Sequence, residues 1–110
     1  MNFNEYQNNV QKLAITKLTG INEVMYSTLG ILGEAGEISE KIKKIVRDKN
    51  GIISEEDKEL LGKETGDVLF YIAKFLSDIG LDFETIAMEN IKKCRDRELR
   101  GVISGSGDNR

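Results

Sequence analysis

The sequence of 110 residues contains no histidine and no proline, and its single cysteine is Cys94. Without histidine, neither a Ser-His-Asp nor a Cys-His catalytic site can form, and the Glu-x-x-His ligand pairs of di-iron bundles are excluded. Acid–base or metal chemistry must therefore use carboxylates, lysine or metal-bound water. A lone cysteine also excludes an intrachain disulfide and a cysteine-based zinc site, and it is typical of a reducing compartment.

The sequence also lacks an excess of positive charge and any long hydrophobic run. Its formal net charge is -3, so no global positive field exists to hold the backbone of DNA or RNA. The apolar run at residues 68–73 is ended by Lys74, which is too soon for a membrane span, and residues 1–10 lack the pattern of a signal peptide. We expect a cytoplasmic protein that binds neither nucleic acid polymers nor membranes.

The residues that are present favour helices. Charged residues make up 32% of the chain and hydrophobic residues 39%, a mixture that without proline predicts an all-α fold. Apolar spacing and capping residues predict four helices, at about residues 4–17, 22–47, 55–79 and 83–99. The predicted caps are Asn4, Ser54 in a capping box with Asp57, and Asp82.

The length of the chain is enough for one domain, which we place at residues 1–100. Residues 101–110 are rich in glycine and serine, and we predict that they form a flexible C-terminal tail. Small helical domains of this size often bury apolar surface between subunits. We therefore expect a compact domain that assembles as a homo-oligomer.

Four carboxylates stand out on the predicted second and third helices. Glu34 and Glu37 are three residues apart and share one face of the second helix. Glu64 falls in the middle of the apolar stripe of the third helix, with Asp67 at its edge. An acidic pair is usually a solvated face, but a carboxylate that faces the core must be protonated, paired with a cation or bound to a metal.

Two interpretations of Glu64 remain open from the residues alone. One is a buried ion pair with Lys41 or Lys93. The other is a metal site, because four carboxylates can converge if the second and third helices pack antiparallel. Oxygen ligands without histidine or cysteine favour Mg²⁺, or Mn²⁺, over zinc. Because Mg²⁺ keeps waters and binds phosphate oxygens, a di- or triphosphate would be its natural partner.

Three glycines lie in or at the start of the second helix, at positions 30, 33 and 36. Each costs about 1 kcal/mol relative to alanine inside a helix. We interpret them as places where a ligand or another backbone comes close, with close helix packing as an equal explanation.

Polar and cationic side chains share one face of the predicted fourth helix, where Asn90, Lys93 and Arg97 follow helical spacing. Lysine and arginine can bind phosphates, and the asparagine amide can bind a sugar or a base. The alternative is that both cations extend from a solvated edge. Residues 105–110 carry backbone amides and Arg110 that could close over phosphates, or form an unstructured tail.

Two segments resemble the Glu-x-x-Glu and Glu-x-x-Asp motifs of the MazG-like all-α nucleoside triphosphate pyrophosphohydrolases, which are related to the dimeric dUTPases. These segments are residues 30–38, GILGEAGEI, and residues 64–71, ETGDVLFY. The likeness extends to Tyr6-Gln7, to Asn90-Ile91-Lys92-Lys93 with Arg97, and to the closing Gly-Asp-Asn-Arg. It therefore covers nearly the whole chain.

The resemblance implies a four-helix domain that forms a dimer or tetramer and hydrolyses ribo- or deoxyribonucleoside triphosphates to the monophosphate and pyrophosphate. By match of motif, the catalytic residues and Mg²⁺ ligands would be Glu34, Glu37, Glu64 and Asp67. The implied substrate contacts are Gln7, Lys41, Asn90, Lys93, Arg97 and Arg110. Gly33 stands where many members carry a further glutamate, which leaves the number of metal ions open.

Other functions are also compatible with these residues. A non-catalytic helical interaction module would use the acidic pairs as solvated or ion-paired surface. A narrow dUTPase or dCTPase of the same superfamily would differ only in its base pocket, which several helices would build together. A nucleotide sensor without turnover is disfavoured, because four carboxylates repel phosphates unless a metal intervenes.

Overall fold

The computed structural model describes all 110 residues and contains four α-helices and no strand. The helices are α1 (Phe3–Leu13), α2 (Ile21–Asp48), α3 (Glu55–Asp78) and α4 (Phe83–Leu99). The predicted all-α class and the number of helices are confirmed. No helix combines the length and the apolar character that a membrane crossing requires.

The first helix differs from its prediction at both ends. Its N-cap is Asn2, whose side chain accepts a hydrogen bond from the Glu5 N–H, and it ends at Leu13 rather than near residue 17. Asn4 lies inside the first turn, and its side-chain oxygen instead accepts from the Glu84 N–H at 3.0 Å. Asn4 therefore ties α1 to the start of α4 and does not cap its own helix.

The other predicted starts are confirmed. The Ser54 hydroxyl accepts from the Asp57 N–H, and the Asp57 carboxylate accepts from the Ser54 N–H, which completes a capping box for α3. Asp82 caps α4 by accepting from the Thr85 N–H at 2.9 Å. These local hydrogen bonds explain why both helices begin where the sequence predicts.

The α2 and α3 helices form an antiparallel hairpin. Lys49 and Asp57 pair at 2.8 Å beside the connecting turn, and Lys41 pairs with Glu64 at 3.1 Å further along. Residues later in α2 therefore lie opposite residues earlier in α3. This arrangement places the two carboxylate pairs on facing helices.

A buried ionic network joins the other end of the hairpin. Lys74 is 4% exposed, and its Nζ donates to Glu23 at 2.8 Å and to Asp78. Asp78 also accepts from the Ser27 hydroxyl at 2.8 Å. Burial lowers the pKa of Lys74, but its bonds to Asp78 and Glu23 raise it more, so the net shift is upward and the amine stays charged.

The apolar core lies between α1, α3 and the first turn of α4. Its buried members are Val10, Ala73, Leu76 and Phe83. Gln7 reinforces this junction, because its amide donates to the Leu81 carbonyl at 2.9 Å and accepts from the Phe83 N–H at 3.0 Å.

The single chain is more open than the compact domain that the sequence predicts. Its radius of gyration is 16.9 Å, whereas a compact domain of this length has a radius of about 13 Å. The α4 helix packs mainly against α1 and extends away from the hairpin. Consequently Ile91, which helical spacing places on the inward face of α4, is 50% exposed.

Residues 101–110 contain turns and no helix. Hydrogen bonds from the side chains of Arg97 and Arg100 hold them against the end of α4. The division of the chain at residue 100 stays a prediction.

Candidate functional site

Three of the four predicted carboxylates come together across the hairpin. Glu34 on α2 and Glu64 and Asp67 on α3 each offer an oxygen, and these oxygens lie within 4.8 Å of one another. Glu34 and Glu64 are half-buried, and Asp67 is exposed. The antiparallel register of α2 and α3 is what brings them to one place.

Glu37 lies close to this acidic cluster but outside it. It is exposed on α2, one turn beyond Glu34, and it is not among the three groups whose oxygens meet. Its charge nevertheless contributes to the raised pKa of Glu34. Glu37 is therefore near enough to act on the site while its carboxylate stays open to solvent.

Burial and like charges together set the electrostatics of the acidic cluster. Burial raises the pKa of Glu34 above its ordinary value, and the charges of Asp67, Glu64 and Glu37 raise it further. Lys41 is the cation paired with the cluster, through Glu64 at 3.1 Å. The ion pair predicted as an alternative thus exists, but one lysine does not balance four carboxylates.

The cluster has the donor set that a hard divalent cation requires. All its ligand atoms are carboxylate oxygens, and two helices contribute them. Because none of the three side chains is fully buried, water or phosphate can reach the site. A cation bound there would relieve the repulsion that raises the pKa of Glu34. The residues present therefore fit Mg²⁺ or Mn²⁺.

Two tyrosines border the cluster and were not among the predicted site residues. Burial and, secondarily, the charge of Asp67 raise the pKa of Tyr6 on α1. Burial raises the pKa of Tyr71 first, then its contact with Tyr26, and then the charges of Glu34 and Asp67. Both hydroxyls therefore stay protonated and can donate hydrogen bonds at neutral pH.

The glycine pattern offered a signal for Tyr71. A Cβ atom added at Gly30 would lie 2.3 Å from Cδ1 of the Tyr71 ring. At this position the alternative explanation, close helix packing, applies. The same test at Gly33 and Gly36 meets nothing within 4 Å. Packing within the chain thus explains Gly30, and the approach of a ligand or another backbone at Gly33 and Gly36 stays a prediction.

The predicted cations on α4 face the C-terminal segment and not the acidic cluster. Arg97 is buried and donates to the Asp108 carbonyl at 2.7 Å, and Lys93 lies 3.2 Å from the Asp108 carboxylate. Neither cation forms an ion pair with the carboxylates of the hairpin. Asn90 is exposed on the same helix.

Two other predicted substrate contacts use their polar atoms within the chain. The side-chain amide of Gln7 binds the backbone of the α3–α4 turn with both its nitrogen and its oxygen. Arg110 donates to the carbonyls of Val102, Ile103 and Gly107.

The sequence is similar to known proteins. A family model described as the MazG nucleotide pyrophosphohydrolase domain matches residues 25–100, more than half of the chain. The Gene 37 protein of Mycobacterium phage L5 is 46% identical over 90 residues, which cover 82% of this chain and 79% of that protein. No solved structure matches the chain. The matched range includes the acidic cluster, Glu37 and most of α4.

Proposed function

This chain belongs to the MazG nucleotide pyrophosphohydrolase domain family, and we propose that it hydrolyses nucleoside triphosphates to nucleoside monophosphates and pyrophosphate. The observation that carries the proposal is the convergence of Glu34, Glu64 and Asp67, whose oxygens lie within 4.8 Å of one another. In the reaction, a water oxygen forms a bond to the α-phosphorus. The bond from that phosphorus to the oxygen that bridges the α- and β-phosphates breaks, and pyrophosphate leaves with that oxygen.

Mg²⁺, or Mn²⁺ in its place, would be held by Glu34, Glu64 and Asp67. Such an ion supplies charge neutralisation at the phosphates and lowers the pKa of bound water. Glu37 is the carboxylate available to orient the attacking water and accept its proton, because it lies beside the cluster without joining it. Tyr71 and Tyr6 would border the bound ion, with protonated hydroxyls that are available to donate hydrogen bonds.

The phosphate contacts that we propose are Lys41, Lys93 and Arg97. Lys41 is already at the cluster through Glu64, and Lys93 and Arg97 form a paired cationic surface on α4. The exposed amide of Asn90 is the proposed contact to the sugar or base.

We leave Gln7 and Arg110 out of the proposed site. Gln7 uses both polar atoms of its side chain in the α3–α4 turn, and all three side-chain nitrogens of Arg110 donate to loop carbonyls. Arg97, by contrast, keeps an Nε–H that has no acceptor. Selectivity for one base, as in a dUTPase or dCTPase, remains an alternative within the same reaction.

We also propose that the protein works as a homodimer or homotetramer. An open groove of about 800 Å³ runs along α4, and its apolar lining includes Phe3, Met88, Ile91 and Leu99. On α2, Leu29 and Leu32 are exposed as well. A second copy of the chain would cover these surfaces and could bring α4 cations to an acidic cluster that its own chain leaves apart.

The test is pyrophosphate release from a panel of ribo- and deoxyribonucleoside triphosphates with Mg²⁺, with Mn²⁺ and with EDTA. Glu64→Gln keeps the shape of the side chain and removes its charge, and we expect it to lower release by about 100-fold or more, since even outer-shell changes cost up to that much. Glu59→Gln is the matched control, because Glu59 is an exposed residue of the same helix that pairs with Lys63.

Metal binding supplies a second readout. Titration calorimetry should show Mn²⁺ binding to the wild type and to Glu59→Gln, with much weaker binding to Glu64→Gln. If the folded protein releases no pyrophosphate from any nucleotide with either metal, the enzymatic proposal fails and the interaction module becomes the better account.

A further inference from the structure

Asp108 binds the two neighbouring cations of α4, Lys93 and Arg97, which we call the cationic pair. Its Oδ1 lies 3.2 Å from the Lys93 Nζ and 3.3 Å from an Arg97 terminal nitrogen. The same Arg97 nitrogen donates to the carbonyls of Asp108, at 2.7 Å, and Gly107, at 3.4 Å. The neighbouring Lys93 and Arg97 hold the pKa of Asp108 below its ordinary value, so its carboxylate is ionised at neutral pH.

The fit between Arg97 and this segment is incomplete. Arg97 is only 6% exposed, yet its Nε–H is buried without an acceptor, while one terminal nitrogen donates all three bonds. A buried donor without a partner is costly. A phosphate group, with several oxygens in a tetrahedral arrangement, can accept from two nitrogens of a guanidinium at once, as a side-chain carboxylate with one engaged oxygen does not.

The segment that carries Asp108 is closed on itself. Arg110 donates to the carbonyls of Val102 and Ile103 at 2.9 and 2.8 Å, and to Gly107 at 2.7 Å. Gly101, with φ +71°, stands at its junction with α4, in a conformation that glycine adopts without strain. Hydrogen bonds from the cationic pair reach the loop at Gly107 and Asp108. The Arg100 side chain holds the loop separately, by donating to the Arg110 carbonyl. Asp108 can therefore leave the pair while the loop keeps its internal bonds.

We propose that Asp108 is an internal competitor for the phosphate site, occupying Lys93 and Arg97 until the phosphate groups of a nucleotide displace it. The loop of residues 102–110 then moves off the cationic pair, and the apparent affinity for substrate is reduced by the fraction of molecules in which Asp108 is docked. The identification of the displacing anion as a nucleotide rests on the proposed function. The competition itself follows from the contacts of Asp108.

The test uses the full chain and inorganic tripolyphosphate with EDTA, so that no metal is bound at the acidic cluster. Asp108→Asn removes the charge and keeps the shape, and we expect it to tighten tripolyphosphate binding by roughly five- to tenfold in titration calorimetry. Asp48→Asn is the matched control: it makes the same chemical change at an exposed ion pair with Arg47, and its affinity should equal that of the wild type.

A structural readout accompanies the affinities. In NMR spectra of the wild type, saturating tripolyphosphate should move the amide chemical shifts of Gly107 and Asp108 to values typical of an unstructured peptide. Lys93→Gln, introduced into the wild type and into Asp108→Asn, should weaken tripolyphosphate binding in both, because it removes one of the two cations that bind the phosphate.

The inference is overturned if Asp108→Asn binds tripolyphosphate no tighter than the wild type, if neither protein binds it, or if the two amides do not move. These outcomes are distinct from a failure of the proposed function. If Asp108→Asn tightens tripolyphosphate binding but the protein hydrolyses no nucleotide, the proposed function fails and the competition stands. If the protein is active but Asp108→Asn leaves tripolyphosphate binding unchanged, the competition fails and the proposed function stands.

Discussion

At the scale of the residue, Gly30 is where a single missing atom sets the fit between α2 and α3. The Tyr71 ring occupies the space of its Cβ, at a distance of 2.3 Å. Tyr71 in turn lies beside Tyr26, with ring centroids 6.3 Å apart, and within the electrostatic influence of Glu34 and Asp67. The geometry of the acidic cluster therefore depends on a residue that carries no side chain.

We predict that Gly30→Ala destabilises the protein by about 1–2 kcal/mol, because the strain of overpacking exceeds the roughly 1 kcal/mol that alanine contributes to helix propensity. Gly62→Ala is the control, since a Cβ added there meets nothing within 4 Å, and it should stabilise α3. Urea denaturation measures both changes. Equal stabilisation by the two variants would show that Tyr71 gives way without cost.

At the scale of the element, the start of α3 depends on a charged cap. The Lys49 amine, together with the Ser54 backbone and hydroxyl, holds the pKa of Asp57 at about 2, below its ordinary value of 3.8. A lowered carboxylate pKa means that the folded protein favours the ionised form. The contribution of Asp57 to stability is therefore complete above its unfolded pKa and is lost as the pH falls through the folded pKa.

We predict that Asp57→Asn lowers the melting temperature by a few degrees at neutral pH, because it weakens the capping box and the ion pair with Lys49. The gap to the wild type should stay constant down to about pH 5 and narrow as the pH falls from about 4 through about 2. Thermal melts at a series of pH values measure it. Glu55→Gln, an exposed change in the same turn, is the control, and a gap as large at pH 2 as at pH 5 would contradict this account.

At the scale of the whole molecule, one chain buries too little apolar surface for its size. Only ten of its 110 residues are buried, and the radius of gyration is 16.9 Å, larger than the roughly 13 Å of a compact domain. Met88, at 65% exposure, and Ile91, at 50%, lie on the groove of α4. An unpartnered apolar surface of this kind is typical of a subunit interface.

We predict that the protein elutes as a multiple of its 12.3 kDa chain in light scattering after size exclusion, and that Met88→Glu shifts it toward the single-chain mass. A buried charge without a partner would oppose association. Leu13→Glu is the control, because Leu13 is exposed at the end of α1 and outside the groove. A wild type with the mass of one chain would refute the proposed oligomer.

The sequence alone determined the number of helices, the caps at Ser54 and Asp82, and the spacing that pairs the carboxylates. These features depend on residues three or four positions apart, so the local pattern contains them. It also determined what chemistry is absent, since no arrangement of this chain supplies a histidine.

Only the tertiary structure decided which distant residues meet. It separated Glu37 from the three carboxylates that converge, placed Gln7 against the α3–α4 turn, and turned Arg97 toward Asp108 and away from the hairpin. Such contacts join residues on different elements, and their distances are set by how the helices cross and where they end, which a periodic pattern along one helix does not specify.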